Sequence, residues 1–598
     1  MPRIKVVYNA FAEVRTPIFN STLIIIASFL PLFFLSGMEG RMLVPLGVAF
    51  IVALMASTIV ALTVTPVLCS FLLGKKGSHP KEAFITRKMK AGYEKALTWS
   101  ICHKRLVLGT TAALFVISLG LFFTLGRSFL PSFNEGSFTI NVSTLPGVSL
   151  EESDKIGREA ERLLLSIPEI NTTARKTGRA ELAEHSFGAN VSEIEATYTL
   201  NGRSKKELAR EIREKLSKIP GTTIEIGQPI SHRIDAMLSG SKAQIAIKVF
   251  GDDLSALYSI GNNIKNVISG VDGIVDANVE QQVDRPQLRI TPRRAIMAKY
   301  GVTMAQFKQM LNTALSGEVV SQVYSDGLPY DLTVRLADDE RGTIEALRNI
   351  AIDTNLGKVP LQEIADIVST SGPNGISREN VSRRILVSAN IDGRDLRGAV
   401  NDIKEAINSK IKLPENYYIV YGGQFESEER ATRTLAIASL AALFVVFMLL
   451  FHEFRDVSLS LIILLNLPLA MIGGILILVL TGGELNIPAT IGFISLLGIS
   501  TRNGMLLISR YCHLQEQGMT LDQRIEKGSA DRLPPIIMTA LTSALALIPL
   551  ALKSSLPGNE IQSPMAIVIL GGLFSATLLN VFVVPIIYKI TQQRKGEK

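Results

Sequence analysis

Eight stretches of this chain are apolar over a length that only a membrane asks for. They lie near residues 18–37, 44–73, 106–125, 435–452, 457–480, 487–509, 534–552 and 565–588. A hydrocarbon core of about 30 Å takes roughly 20 helical residues, and a buried helix of a water-soluble protein seldom runs that far without a charge. The chain therefore reads as an α-helical membrane bundle of eight spans. Composition agrees, with only 19% charged residues in 598 and a mean hydropathy of +0.28. Disordered, collagen-like and disulfide-stapled chains are excluded on the same grounds.

Basic residues orient the bundle. The segment 74–105 carries Lys75, Lys76, Lys81, Arg87, Lys88, Lys90, Lys95, Lys104 and Arg105 against Glu82 and Glu94. By the positive-inside rule it faces the cytoplasm. Alternation then puts residues 1–17 and the tail with Lys589, Arg594, Lys595 and Lys598 on the same side. Residues 1–17 hold Arg3, Lys5 and Arg15 but no short apolar stretch with a cleavage site, so no signal peptide is expected. The net charge of +8 is thus largely topogenic, and no nucleic-acid partner is implied. Residues 126–434 fall outside. Cys69, Cys102 and Cys512 all sit at cytoplasmic span ends, so the outer domain folds without disulfides.

That outer domain reads as α/β. Strand 138–144, helix 150–166, strands 169–176 and 191–200, helix 205–219 and strand 222–226 follow the β-α-β-β-α-β order of a ferredoxin-like unit. The order recurs in strand 244–250, helix 254–269 and strand 273–281, then strand 383–391, helix 398–410 and strand 417–421. Asn201-Gly202-Arg203 and Asp392-Gly393-Arg394 echo each other before the second helix of each unit. A mixed insertion interrupts the second repeat, with a helix expected over 303–315 after an N-cap at Thr303. The domain boundaries are therefore 1–125, 126–240, 241–286 with 381–434, the insertion 287–380, and 435–598.

Within the span 487–509 stands Ser500-Thr501-Arg502-Asn503. A charge near the bilayer centre costs at least about 2.5–3.5 kcal/mol and normally faces a partner inside the bundle. Thr539 and Thr542 in the next span can donate to such a site, although hydroxyls like these more often pack helices. The spans contain no mid-membrane Asp or Glu; Glu39, Glu453, Asp456, Glu484 and Glu560 are expected in short connections. The partner of Arg502 then lies on another chain or on a missing part of this protein. No Walker motif, nucleophile elbow or dinucleotide loop is present, so the chain is not read as an enzyme and no cofactor is expected.

Several stretches resemble one family. They are Leu35-Ser-Gly-Met-Glu-Gly-Arg41, Thr65-Pro-Val-Leu-Cys69, Ile245-Ala-Ile-Lys-Val-Phe-Gly-Asp-Asp-Leu254, Tyr421-Gly-Gly-Gln-Phe-Glu426, Gly498 to Gly504 and Arg532-Leu-Pro-Pro-Ile-Ile-Met-Thr539. In order and spacing they resemble the C-terminal part of a resistance–nodulation–division (RND) efflux pump, closest to its heavy-metal branch. The resemblance implies a proton-driven homotrimer in the bacterial inner membrane, with two porter subdomains and an inserted docking subdomain in the periplasm. It also implies a periplasmic adaptor protein, an outer-membrane channel, contact with membrane lipid, and a missing N-terminal half or companion chain. Arg502 falls where drug-efflux members have a relay Lys, Asn503 at their following Asn, Thr539 at their relay Thr and Arg532 at the basic residue before it. The metal branch often has an aliphatic residue at the position of Arg502, so here the chain departs from it.

The cargo implied is a divalent metal cation. Where copper-type members have thioether ligands, the nearest positions here hold Glu193 and Ala236, with Met237 adjacent. Carboxylate and imidazole suit a borderline cation such as Zn²⁺. Glu193, His185, His232, Asp235 and Met237 are the candidate ligands, with Glu181, Glu184 and Glu195 nearby. The competing reading is a solvated charged loop over 181–195 and a surface His, since no ligand spacing is evident. Met297, Met304 and Met310 are expected in the core of the insertion. Two other functions stay open: export of drugs or amphiphiles, favoured by Arg502, and a transport-inactive assembly or docking fragment.

Overall fold

The computed structural model describes residues 3–72, 84–131, 133–178, 188–239, 243–281, 284–373, 375–553, 556 and 558–596. Among them eight helical segments are long and apolar enough to cross a membrane: Arg15–Phe34, Gly37–Leu72, Lys104–Thr124, Gln424–Phe454, Val457–Leu480, Ile487–Glu516, Leu521–Leu552 and Gln562–Arg594. The sequence explains where they start and bend. Asn486 caps Ile487–Glu516 by accepting from the Ala489 amide at 2.9 Å, and Thr520 with Gln523 forms a capping box on Leu521–Leu552. Pro31 turns the end of Arg3–Phe29 into a 3₁₀ segment. Pro468, which has no amide hydrogen, leaves the Leu464 carbonyl without its helical donor, and the fifth span divides into Val457–Leu464 and Asn466–Leu480.

Small residues let three helices close on one another. A Cβ on Gly571 would lie 2.4 Å from the Gly473 carbonyl oxygen, and one on Gly492 would lie 3.0 Å from Val568. Glycine is required there because the neighbouring backbone occupies the space a side chain would need. On the cytoplasmic side the basic segment folds over Phe84–Cys102 into a helix, held to the bundle by the Tyr93 hydroxyl donating to the Val581 carbonyl at 2.6 Å. That carbonyl is freed by Pro585.

A four-stranded and a five-stranded antiparallel sheet form the outer domain. The fifth strand of the second is the short Arg378–Glu379, paired with Ser382–Ile391; leaving it aside, the strands counted along the chain within each sheet lie in the order 2-3-1-4 in both. The first contains Ser137–Ser143, Ile170–Thr177, Val191–Tyr198 and Thr223–Gly227; the second contains Ile245–Phe250, Ile274–Val279, Ser382–Ile391 and Tyr418–Gly423. In the first unit, helices Leu150–Leu165 and Lys205–Leu216 cover the face carrying Phe138, Ile140, Ile194 and Ile226. Burial of that apolar face, at about 25 cal/mol per Å², is what holds the layers together. Arg213 joins the units by a two-pronged ion pair to Asp276, at 2.9 and 3.1 Å.

The insertion has its own core of Met297, Val302, Phe307, Leu347, Leu361 and Ile364. The expected helix over 303–315 is shorter: Met304–Leu311, closed by a π turn at Asn312–Ser316. Met304 is half exposed on its first turn, so of the three methionines only Met297 and Met310 pack inward. Glu39 and Glu453 also differ from expectation, standing in the terminal turns of helices rather than in connections.

Candidate functional site

Arg502 sits midway along Ile487–Glu516, the most enclosed of the helices. Tyr511 bonds to Ser529 and Arg510 pairs with Asp531 at 2.8 Å across to Leu521–Leu552. Carried toward the outer side at about 1.5 Å per residue, this antiparallel register sets Arg502 level with Thr539. The Thr539 hydroxyl donates to the Ile536 carbonyl at 2.9 Å, leaving its lone pairs for another donor. Asn503 is buried, and Arg502 and Arg532 are half-buried.

Among the described residues no acid pairs with Arg502. Glu453, Asp456 and Glu560 are engaged at the ends of the bundle. Asn20 donates to Glu453; Asp456 accepts from the Ser458 amide at 2.8 Å and pairs with Lys595; Glu560 accepts from the Asn134 and Gly558 amides at 3.1 and 2.7 Å. Glu39 is buried in the first turn of Gly37–Leu72. The arrangement can bind and orient a carboxylate that approaches Arg502 from the side of Thr539.

The second cluster lies outside the membrane. His232 and Asp235 stand one turn apart on Pro229–Ser239, a helix that sequence periodicity did not reveal. Both are buried, at 5% and 4% exposure. Glu135 fixes the start of this helix by accepting from the Ile230 and Ser231 amides at 2.6 and 3.1 Å. Gln424, the first residue of the span Gln424–Phe454, donates from its side-chain amide to Asp235 at 2.7 Å. Burial pushes the Asp235 carboxyl up to about 7, against the lowering effect of that hydrogen bond. His232, Asp235, Lys205, Gln424 and Glu484 line a cavity of about 450 Å³ between the two sheets and the outer helix ends.

Among the described residues the sequence candidates do not form one coordination shell. Glu193 pairs across the ladder with Lys176 at 3.0 Å. Its cross-strand row, with Asn141 and Glu225, is one row away from that of Gly227, over which the His232 ring lies. Glu193 and His232 therefore stand on neighbouring rows of one sheet face. Met237 is 62% exposed. His185, Glu181 and Glu184 lie outside the described residues. No three His, Cys, Asp or Glu among the described residues are grouped to hold a metal ion. Sequence reasoning missed Glu225, which accepts from Asn278 at 3.2 Å and Ser388 at 3.3 Å of the second unit. It also missed Gln424, although Gly422-Gly423 just before it marked a sharp turn into the span.

Similarity to known proteins spans the whole chain. The cation efflux system protein CzcA of Alcaligenes sp. (strain CT14) is 33% identical over 98% of this chain and 56% of its own length. The cobalt-zinc-cadmium resistance protein CzcA of Cupriavidus metallidurans shows the same identity and coverage. A crystal structure of a heavy metal efflux pump superposes with a TM-score of 0.81 at 29% identity, over 97% of this chain and 59% of that one. The chain thus spans little more than half the length of the relatives it matches. It is a multi-pass inner-membrane protein with a large domain outside the membrane. With residues 1–592 matched, the chain belongs to the AcrB/AcrD/AcrF family of RND proteins.

Proposed function

We propose that this chain is the C-terminal portion of a proton-driven RND transporter that exports heavy-metal cations. The observation that carries the reading is the end-to-end match to relatives named for cation efflux and for cobalt, zinc and cadmium resistance. Arg502, held mid-bundle level with Thr539, supports proton coupling, because protonating a carboxylate beside it would cancel an ion pair and change what the helix prefers to face. That carboxylate is supplied from outside the described residues. Asn503 and Arg532 would hold the surrounding hydrogen bonds.

The two outer sheets support a reading as ferredoxin-like porter repeats, with the insertion as a docking subdomain. Their cleft would pass the cation, and His232 with Asp235 would meet it as neutral imidazole and carboxylate. Glu193 and Met237 would act at other points along the path. A homotrimer, a periplasmic adaptor, an outer-membrane channel and lipid complete the assembly. Deleting the gene is expected to raise zinc, cobalt or cadmium sensitivity about tenfold while leaving dye and bile-salt sensitivity unchanged. The reverse pattern assigns drug or amphiphile export, which Arg502 favours. No change for either class, together with no companion chain on native purification, leaves a docking fragment.

A further inference from the structure

The face of Ile487–Glu516 opposite Arg502 carries a second polar feature. Gly492, Leu496, Ser500 and Gly504 recur at intervals of four and form one stripe. Gly492 packs on Val568, and Leu496 reaches the position a Cβ would take on Gly572. These two helices run in the same direction, so the same offset carried one and two turns further sets Ser500 level with Ala576 and Gly504 level with Asn580. The third helix enters at the same level, where a Cβ on Gly504 would lie 2.1 Å from the Asn466 amide nitrogen.

This register brings three buried side chains to neighbouring levels of one seam, and their hydrogen-bonding capacity is not met there. Asn466, Ser500 and Asn580 are each at most 1% exposed. Among the described residues, the Asn466 Oδ1, the Ser500 Oγ and both amide atoms of Asn580 have no hydrogen-bond partner. Asn466 Nδ2 is used, donating to the Ile463 carbonyl at 2.9 Å. The Leu464 carbonyl freed by Pro468 stands next to it in sequence. Leaving several such groups dry in a bundle costs far more than filling the site, since an unsatisfied buried group normally forfeits about 1–3 kcal/mol. The set mixes donors (Asn580 Nδ2, Ser500 O–H) with acceptors (Asn466 Oδ1, Asn580 Oδ1). A bare cation would leave the donors unmet, whereas water satisfies both kinds with its two to four hydrogen bonds.

We propose that Asn466, Ser500 and Asn580 bind water in the middle of the helical bundle, and that this hydrated node is the joint at which the Pro468 kink bends. Water can exchange one acceptor for another as Asn466–Leu480 tilts, so movement there breaks no fixed side-chain bond. The hinge role rests on the transport reading above; the water site does not.

Hydroxyl-radical footprinting of the membrane-embedded protein tests the site directly. Relative to each residue's own rate in the unfolded chain, Met505 and Ile463, both buried next to Gly504 and Asn466, are expected to label at least tenfold faster than Ile491 and Val568, which are as buried but lie nearer the outer ends of their helices. The Asn466→Leu/Asn580→Leu double variant is expected to lose that excess, to keep or raise its unfolding midpoint, and to reduce transport at least tenfold in the active assembly. Equal labelling of Met505, Ile463 and the two reference residues in the wild type overturns the proposal, whatever the variants do. So does an excess that persists in the double variant. Asn580→Thr, which keeps a hydroxyl, is expected to retain the labelling and guards against a double variant that fails to fold. If wild-type protein labels as expected but moves no cation, the transport reading fails and the water site stands; full transport by a folded double variant removes the hinge.

Discussion

Ile487–Glu516 and Leu521–Leu552 are consecutive spans joined by a short turn, yet 78% of the apolar window of the first is buried and only 6% of that of the second. Hydropathy does not separate them, because both are apolar enough to cross a membrane. Residue size does. The enclosed helix spaces Gly492, Gly498 and Gly504 along its length, while the open one presents Met538, Leu541, Leu545 and Leu552 to its surroundings. Arg502 and Thr539 lie on the boundary between the enclosed and open regions. The proposed meeting of Arg502 with a carboxylate from elsewhere suits such a boundary, where one flank is rigid and the other accessible.

The largest expected effect is structural. Gly571→Ala forces a methyl group against the Gly473 carbonyl and the Ile477 side chain, both 2.4 Å away. Overpacking of a backbone contact is expected to cost about 3 kcal/mol, the upper part of the usual range. Leu545→Ala, at 67% exposure, is expected to change stability by less than about 0.5 kcal/mol. Denaturant midpoints in one detergent check the pair, and equal losses would break the contrast between closed seam and open wall.

Next is Arg502→Met, which keeps the volume and removes the charge. Proton-linked transport by the active assembly is expected to fall about 100-fold, the scale of losing a positioned proton-transfer group. The unfolding midpoint should hold or rise, because a half-buried charge with no acid beside it among the described residues has been removed. Thr539→Val, across the boundary, should cost only several-fold in rate. A Thr539 effect as large as that of Arg502 would show that the open helix shares the coupling equally.

The same contrast holds on a smaller scale within Pro229–Ser239, where Asp235 is enclosed and Met237 open. A carboxyl raised by burial from 3.8 to about 7 favours the folded state while it is protonated. Its contribution is full below about pH 4 and is lost as the pH climbs to about 7. Asp235→Asn is therefore expected to flatten the fall in stability between pH 4 and 7, whereas Met237→Ala leaves it unchanged. Divalent-cation affinity should rise up to tenfold per pH unit toward pH 7 and then level off, since the ligand must shed its proton first. Titrating thermal midpoints against pH, with and without Zn²⁺, checks both.

Much of this was legible in the sequence because its signals are local. Span length, the lysine-rich segment and the strand-helix alternation each follow from consecutive residues, so the eight spans and the outer strands fall close to expectation. Pro229–Ser239 was hidden because it is short and its buried face mixes His232 and Asp235 with Ile234, which breaks the apolar stripe. Arg502 could be singled out by its charge, but its level with Thr539 depends on the Tyr511–Ser529 and Arg510–Asp531 contacts between helices. The Asn466–Ser500–Asn580 seam was equally silent, since Asn and Ser in a span look like ordinary packing residues until three helices set them at one depth. The metal candidates were chosen by residue type, and residue type alone cannot say that Glu193 and His232 lie a row apart on the sheet.

The smallest expected effect separates a pair from a ligand. Lys176 is 66% exposed and Glu193 only 13%, and the Lys176 ammonium is held above its usual range first by the hydrogen bond it donates to Glu193. Exposed partners of this kind contribute about 0–1 kcal/mol, so Lys176→Ala should barely move the unfolding midpoint. Its effect on cation binding has a definite sign. With the ammonium gone, Glu193 keeps its charge and gains a free lone pair on the face shared with His232. If Glu193 meets the cation on its way through the cleft, Zn²⁺ or Co²⁺ binding by calorimetry should tighten by a few-fold in Lys176→Ala and weaken by a similar factor in Glu193→Gln. If Glu193 only balances Lys176, both variants bind as the wild type does. In that case the metal path rests on the enclosed side of the cleft, with His232 and Asp235, and the open sheet edge contributes solubility alone.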